Sequence, residues 1–160
     1  MTRVHTIETR IHGRYLSAMP DGPGPHPWLL GCHGYGEAAP QQMAVLERLD
    51  PERRWGRVSV QGLHRFYTRN EEIVASWMTR EDRDLAIADN VAYVGAVVDE
   101  VRRTLPVGDP LVLVGFSQGA AMAYRAAAAG LGARGLVVLA GDVPPDVAPR
   151  AGALPTTLVG

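Results

Sequence analysis

The sequence predicts an α/β fold in which a mostly parallel central sheet is covered by helices on both faces. Short, almost continuous apolar runs alternate with longer helical segments, and strands buried on both faces need such runs. Strands and helices that alternate in this way form βαβ units. With 160 residues, 46% apolar content and a net charge of −1, the chain suits one domain over residues 1–160.

The predicted elements begin with a β-rich segment and then alternate. Weak alternation in 3–8 and 10–18, around Gly13, predicts a hairpin or an edge pair. Residues 61–80 show no periodicity, and 141–155 form a Pro-rich loop. The other predicted strands are 28–32, 57–60, 110–114, 136–140 and 156–159, and the predicted helices are 41–49, 82–105 and 120–129.

The two longer helices carry the clearest signals. Apolar residues recur at spacings of three and four through 82–105, and Pro106 ends that pattern; they are Ile87, Val91, Val94, Val98, Val101 and Leu105. The segment 120–129 is rich in alanine, the residue with the highest helix propensity, and Gly130 stands where a helix would stop.

Composition and motifs argue against several functions. The balanced charge gives no sign of nucleic-acid binding, and no apolar segment is long enough to span a bilayer. The N-terminus lacks the apolar core of a signal peptide, which predicts a cytoplasmic location. No HExxH, paired Cys/His spacing, GxGxxG or Walker loop is present, so no metal or nucleotide cofactor is expected. The single cysteine, Cys32, fits a small buried residue better than a reactive thiol.

The most informative motif is Gly115-x-Ser117-x-Gly119, which follows an apolar run and leads directly into the alanine-rich helix. Strand, tight turn and helix in this order are the signature of a nucleophile elbow, which exposes a reactive serine. By composition alone the pattern would occur by chance roughly 0.05 times in a chain of this length, so its context matters. The alternative is an ordinary strand-to-helix turn with an incidental serine.

A second glycine-rich turn, His33-Gly34-Tyr35-Gly36, follows the predicted strand 28–32. An oxyanion hole of this kind combines the amide after the nucleophile with one from a loop after an early strand, here Gln118 and Tyr35. His33 precedes the serine, whereas the base follows it in this motif class. We therefore expect His33 to bond the loop backbone, although it also remains a candidate for the substrate pocket.

The segments LLGCHGYGEAA, QGLHRFY and GFSQGAAMA together resemble the phospholipase/carboxylesterase group of α/β-hydrolases, which includes the acyl-protein thioesterases. The resemblance covers roughly residues 26–160 and implies the α/β-hydrolase fold. It also implies hydrolysis of small-molecule carboxylic esters or thioesters, with Ser117 as nucleophile and the Tyr35 and Gln118 amides as oxyanion donors.

In that family the triad aspartate lies just beyond the strand that begins here at Thr156, and the histidine lies further on. Neither position exists in this sequence, so we expect the C-terminal strands and helix of the fold to be missing. The chain alone should be nearly inert, because losing a triad function costs on the order of a millionfold in turnover. Its uncovered sheet should self-associate or recruit a complementing C-terminal segment.

Residues 61–80 should shape substrate choice, because they lie between a strand and a long helix at the edge where α/β folds bind ligands. In the alternative interpretation, Trp77 and Met78 simply pack under the following helix. The candidates for the substrate pocket are His33, Phe66, Tyr67, Trp77 and Met78.

Two hypotheses follow from these observations. The first is a serine esterase or thioesterase that works through an acyl-enzyme on Ser117, with its base and acid outside this chain. The second is a non-catalytic module of the same fold that binds a ligand or partner. Asp142, in the loop after strand 136–140, is a fallback triad acid in the first hypothesis, and an ordinary surface residue is the alternative.

Overall fold

The computed structural model describes residues 1–160 and contains two sheets and three α-helices. The helices are α1 (Ala39–Leu49), α2 (Arg83–Thr104) and α3 (Gln118–Ala128), and a 3₁₀ helix spans Ala148–Ala153. The strands are β1 (Arg14–Ala18), β2 (His26–Cys32), β3 (Gly56–Gln61), β4 (His64–Tyr67), β5 (Ile73–Ser76), β6 (Val107–Phe116), β7 (Ala133–Leu139) and β8 (Thr156–Val159).

The main sheet has six strands in the order β1-β3-β2-β6-β7-β8. Neighbouring strands are parallel except at β1, which pairs antiparallel with β3 and places Ala18 opposite Arg57. The mostly parallel sheet predicted from the sequence is therefore confirmed. Because the parallel strands run in one direction, their carboxyl ends share one edge of the sheet, and β2, β3, β6 and β7 all lead into loops there.

Helices cover both faces, because successive side chains of a strand point to opposite sides. Leu30, Val58 and Leu113 belong to a large core cluster that also contains buried residues of α2 and α3. Leu29 and Val114, their strand neighbours, instead pack with Leu46 of α1. The two-sided arrangement explains why the strands read as continuous apolar runs rather than alternating ones.

The N-terminal hairpin predicted from the sequence is wrong. Only the second half of that segment forms a strand, and β1 pairs with β3 rather than with residues 3–8, which have no regular structure. Val4 and Ile7 are 86% and 92% exposed, so the alternation in that segment finds no sheet to bury it. Weak period-two patterning gives a strand only where a partner strand is available.

Residues 61–80, which show no periodicity, contain the small antiparallel pair β4–β5. Strands of four residues are too short for an alternating pattern to emerge, and β4 carries exposed polar residues. At the far edge of the main sheet, Leu158 and Val159 of β8 are 66% and 70% exposed. None of the helices combines the length and apolar character needed to cross a bilayer.

Candidate active site

Ser117 occupies the sharp turn between β6 and α3, at the carboxyl edge of the sheet. Its backbone has φ 52° and ψ −116°, a conformation that side-chain-bearing residues adopt only under constraint. Its amide donates to Leu139 O at 2.9 Å, and its carbonyl accepts from Ala120 N at 3.0 Å. The turn is thus hydrogen-bonded to β7 and to its own helix, while Ser117 itself is exposed.

The two glycines of the motif permit a close approach that no other residue could make. A Cβ atom on Gly119 would collide with the backbone carbonyls of Cys32 and His33, at the end of β2. A Cβ atom on Gly115 would collide with the backbone of Gly119 and Ala120. The elbow therefore sits directly against the loop that follows β2, and only glycine allows this packing.

The loop 33–37 is fastened by its own hydrogen bonds. Gly34 N donates to Glu37 Oε2 at 2.7 Å, and Glu37 N donates to Gly34 O at 3.3 Å. Gly36 N donates to Ala75 O at 3.0 Å, which ties the loop to β5. The amide of Tyr35 takes part in none of these bonds, so it remains available to another acceptor.

His33 is sealed within the structure. It is 0% exposed, and its ring lies 5.1 Å from that of Trp77. Gly62 N donates to Nε2 at 3.0 Å, so the ring proton is on Nδ1, which donates to Gly34 O at 2.7 Å. Burial lowers the pKa of His33, and the bond to Gly34 and the charge of Glu37 only partly oppose that shift.

His33 is therefore a neutral residue that holds the loop backbone, as its place at the loop start suggested. With both ring nitrogens committed and no exposed surface, it neither lines a substrate pocket nor reaches Ser117 as a base. The neighbouring Cys32 is 1% exposed, and burial raises the pKa of its thiol to about 12. Ser117, in contrast to Cys32 and His33, is exposed at this edge.

The side chain of Gln118 links the elbow to the segment that follows β5. Its Oε1 accepts from Trp77 N at 2.9 Å and from Ser76 Oγ at 3.2 Å, and its Nε2 donates to Met78 O at 2.9 Å. Three bonds from one side chain position the start of α3 against residues 76–78. The side-chain amide of Gln118 is therefore engaged with this segment.

Trp77 and Met78 are core residues, being 0% and 7% exposed, so they do not form an open acyl pocket. Trp77 Nε1 donates to His33 O at 2.8 Å, and Asn90 Nδ2 donates to Trp77 O at 2.9 Å. The packing interpretation therefore holds for these two residues. The physical reason is that a fully buried indole needs a partner for its N–H, and His33 O provides it.

Phe66 and Tyr67 stand at the surface. Phe66 is partly buried with its ring 5.6 Å from that of Tyr35, whereas Tyr67 is 72% exposed. Of the five pocket candidates, the structure brings only Phe66 next to the oxyanion-hole candidate Tyr35. The contact between the Tyr35 and Phe66 rings is what the structure retains of the predicted pocket.

The two acids that follow Ser117 have different surroundings. Asp146 makes a bidentate pair with Arg125 of α3, with bonds of 2.7 and 2.8 Å, and these bonds hold the pKa of its carboxyl below the ordinary value. Asp142 is exposed and follows Gly141, where a Cβ atom would come within 3.1 Å of Ser117 O. The backbone next to Asp142, the fallback acid, therefore lies close to the elbow, whereas Asp146 is paired with Arg125.

Several site residues were missed by sequence reasoning. Asn90 accepts from Leu63 N at 3.2 Å and is fully buried, although it belongs to the predicted helix 82–105. A polar residue midway between Ala86 and Val94, on the buried face of that helix, was the signal that could have marked it. Glu37 and the side chain of Gln118 carried no such signal, because their partners come from loop backbone.

No family model matches the chain, and no curated protein matches it. Solved structures do. An acyl-protein thioesterase 2 from Zea mays is 22% identical with a TM-score of 0.64, over 92% of this chain and 75% of that one. The esterase PE8 is 22% identical with a TM-score of 0.65, over 94% and 74%.

A carboxylesterase from Bacillus cereus is 16% identical with a TM-score of 0.64, over 92% of this chain and 84% of that one. At these identities the similarity establishes architecture. The chain has the α/β-hydrolase fold, and in its fold it is similar to an acyl-protein thioesterase and two esterases.

Proposed function

We propose that this chain is a serine hydrolase of carboxylic esters or thioesters, similar to the phospholipase/carboxylesterase group, that works through an acyl-enzyme on Ser117. The observation that carries the proposal is the exposed Ser117 on a backbone turn with φ 52°, held where β6 meets α3. A strained turn of this kind persists only where the surrounding structure enforces it, which is typical of functional positions. Fold similarity to esterases and a thioesterase supports the substrate class.

In the proposed reaction, Ser117 Oγ attacks the substrate carbonyl carbon while a base takes its proton. The carbonyl oxygen becomes an oxyanion, and in this proposal the amides of Tyr35 and Gln118 donate to it. Donors of this kind are each worth about 3 kcal/mol to the transition state. The alcohol or thiol leaves with a proton, and water then hydrolyses the acyl-serine.

In this motif class the triad histidine follows the serine in the sequence. Residues 1–160 supply no base at such a position. Residues 118–160 contain no histidine. His33, the histidine beside the elbow, is buried with both ring nitrogens engaged. We therefore propose that the triad histidine lies outside residues 1–160, and that Asp142 is the fallback acid within them.

Chemical rescue tests this proposal directly. The 160-residue chain is treated with a fluorophosphonate probe, in which Ser117 Oγ would displace fluoride, and the intact mass is followed with and without added imidazole. We expect slow labelling that imidazole accelerates, because the free imidazole can take the Ser117 proton. Ser117→Ala should abolish labelling, and Ser17→Ala, at an exposed serine of β1, should leave it unchanged.

Two outcomes would contradict the proposal. Labelling that survives Ser117→Ala would place the reactive group elsewhere. A wild-type chain that never labels, even with imidazole, would favour the second hypothesis, a non-catalytic module of the same fold. The sealed ring of His33 is the observation that favours this alternative.

A further inference from the structure

The face of β3 that lies under α1 carries a row of polar side chains. Alternation along the strand turns Arg57, Ser59 and Gln61 to the same side. Ser59 Oγ donates to Ala39 O at 2.7 Å, and Gln61 Oε1 accepts from Ala39 N at 3.2 Å. Two of the three members of the row are thus bonded to the start of α1, near the loop 33–37.

Arg57, at the other end of the row, has no such partner. The residue is only 5% exposed, its Nε makes no hydrogen bond, and it takes part in none of the ion pairs of the chain. A guanidinium cannot lose its charge at any physiological pH. Burying such a charge without a nearby anion is unfavourable, and no carboxylate of the chain lies within ion-pairing distance of Arg57.

Two acids of the turn before β3 are close to Arg57 in sequence but form no ion pair with it. Asp50 is the buried acid of the turn before β3, but its carboxylate already accepts from Arg54 N and Trp55 N, each at 3.0 Å. Glu52 pairs with the side chain of Arg54 at 3.1 Å. Both carboxylates thus have their partners within the turn that borders Arg57.

Arg57 lies at the base of an open cleft of about 760 Å³. The cleft is bounded by the end of β1 and the loop after it, by α1, and by the turn before β3. Its walls also carry two further cations, one imidazole and three carboxylates: Arg53, Arg54, His26, Asp21, Glu47 and Glu52. It opens at the amino ends of the parallel strands, on the edge of the sheet opposite Ser117.

We propose that this cleft binds the carboxylate group of a small organic molecule, with the guanidinium of Arg57 as its main ligand. The planar guanidinium fork matches a carboxylate with two parallel N–H···O bonds. A dianionic phosphate would be repelled by Asp21 and Glu47, which share the walls, whereas a monoanion can approach Arg57 while its other end faces them. The site is separate from the elbow and does not depend on the function proposed for Ser117.

Thermal unfolding of the full chain in sodium acetate, with sodium chloride keeping the ionic strength constant, tests the site. Acetate at about ten times its Kd should raise the Tm of the wild-type protein by about 3 to 6 °C, with saturation. Arg57→Met should remove this response, and Arg57→Lys, which keeps the charge but not the fork, should retain less than half of it. Arg134→Met, at an exposed arginine of β7, should retain it in full.

The absence of a saturable response in the wild-type protein overturns the proposal, and so does a full response in Arg57→Met. If Arg57→Met does not fold, the comparison between Arg57→Lys and wild type decides, because an undiminished response in the lysine variant excludes Arg57 as the fork. Inorganic phosphate provides the last arm. An Arg57-dependent shift larger with phosphate than with acetate would overturn the assignment to a monocarboxylate.

Discussion

Two buried arginines, one near each edge of the sheet, have different surroundings. Arg125 in α3 and Arg57 in β3 are 3% and 5% exposed, so both residues are almost fully buried. Arg125 is paired at 2.7 and 2.8 Å with Asp146, in the loop after β7. Arg57 has no ion pair, and its Nε has no hydrogen bond.

The two arginines differ in whether the surrounding chain supplies a charged partner. Around the elbow, the buried polar groups of His33, Asn90 and Gln118 all find partners within the chain. A network satisfied in this way holds the turn and the loop in one arrangement. At the opposite edge the chain leaves a buried charge whose natural partner is a ligand. One edge is built to position atoms, and the other to receive an anion.

The largest change in the free energy of unfolding is expected at the elbow, where backbone segments approach most closely. Gly119→Ala drives a Cβ atom into the carbonyls of Cys32 and His33 and should destabilise the fold by about 4 kcal/mol or more, because backbone cannot move aside cheaply. Gly95→Ala in α2 is the matched control, since its Cβ would lie 3.5 Å from Leu131. It should stabilise by about 0.5 to 1 kcal/mol. Urea unfolding of both variants measures the contrast, and equal effects would refute it.

The next largest change in stability is expected at the neutral imidazole of His33. His33→Asn removes the acceptor for Gly62 N and the ring packed on Trp77, and should cost about 2 to 4 kcal/mol. In the wild-type protein the folded pKa of His33 lies below the ordinary 6.5, so the unfolded chain binds the proton first as pH falls.

The stability that wild type has above pH 6.5 should therefore decline as pH drops from there towards the lowered folded pKa. In His33→Asn that part of the decline should be absent. Free energies of unfolding at pH 8, 7, 6 and 5 would show it, and identical slopes in the two proteins would mean that His33 does not carry the dependence.

Removing the carboxylate of Asp146 would leave Arg125 without an ion pair, as Arg57 is. Asp146→Asn should destabilise by about 1 to 3 kcal/mol, less than for a fully buried pair, because the Asp146 side chain is 46% exposed and water can partly replace it. Its pKa is depressed from 3.8, so the contribution is present above that value and is lost as pH falls through the folded pKa. Acid unfolding should show a shallower slope below pH 4 in the variant, and wild-type behaviour there would contradict the assignment.

The smallest effect has the opposite sign. In chloride alone, Arg57→Met should leave the free energy of unfolding unchanged or raise it by about 1 kcal/mol, because an apolar side chain replaces an unpaired buried charge. Arg134→Met should change it by less than about 0.5 kcal/mol, as exposed substitutions usually do. A marked loss of stability in Arg57→Met would show that the chain compensates this charge by itself.

Much of the fold could be predicted because its signals are local. The apolar run before Ser117, the helix after it and the stripe through α2 each depend on residues within a few positions, and strand and helix boundaries agree with the structure to within a few residues. The segment 3–8 could not be predicted in the same way. Whether its weak alternation becomes a strand depends on a partner, and β3 takes β1 instead.

The site divides along the same line. By itself, the sequence determined the position of Ser117 on a strand-to-helix turn, the glycines that the turn requires and the loop 33–36 beside it, because backbone geometry demands particular residues at particular spacings. It also indicated that His33 would bond the loop rather than act as the base.

Only the tertiary structure decided which polar groups meet. Gln118 bonds to residues about 40 positions earlier, His33 accepts from Gly62, and Asn90 joins the backbone of Leu63 to that of Trp77. The same holds for Arg57, which reads as an ordinary arginine at the start of a strand. Its isolation is a property of burial and of distant neighbours, and these arise only when the chain packs around it.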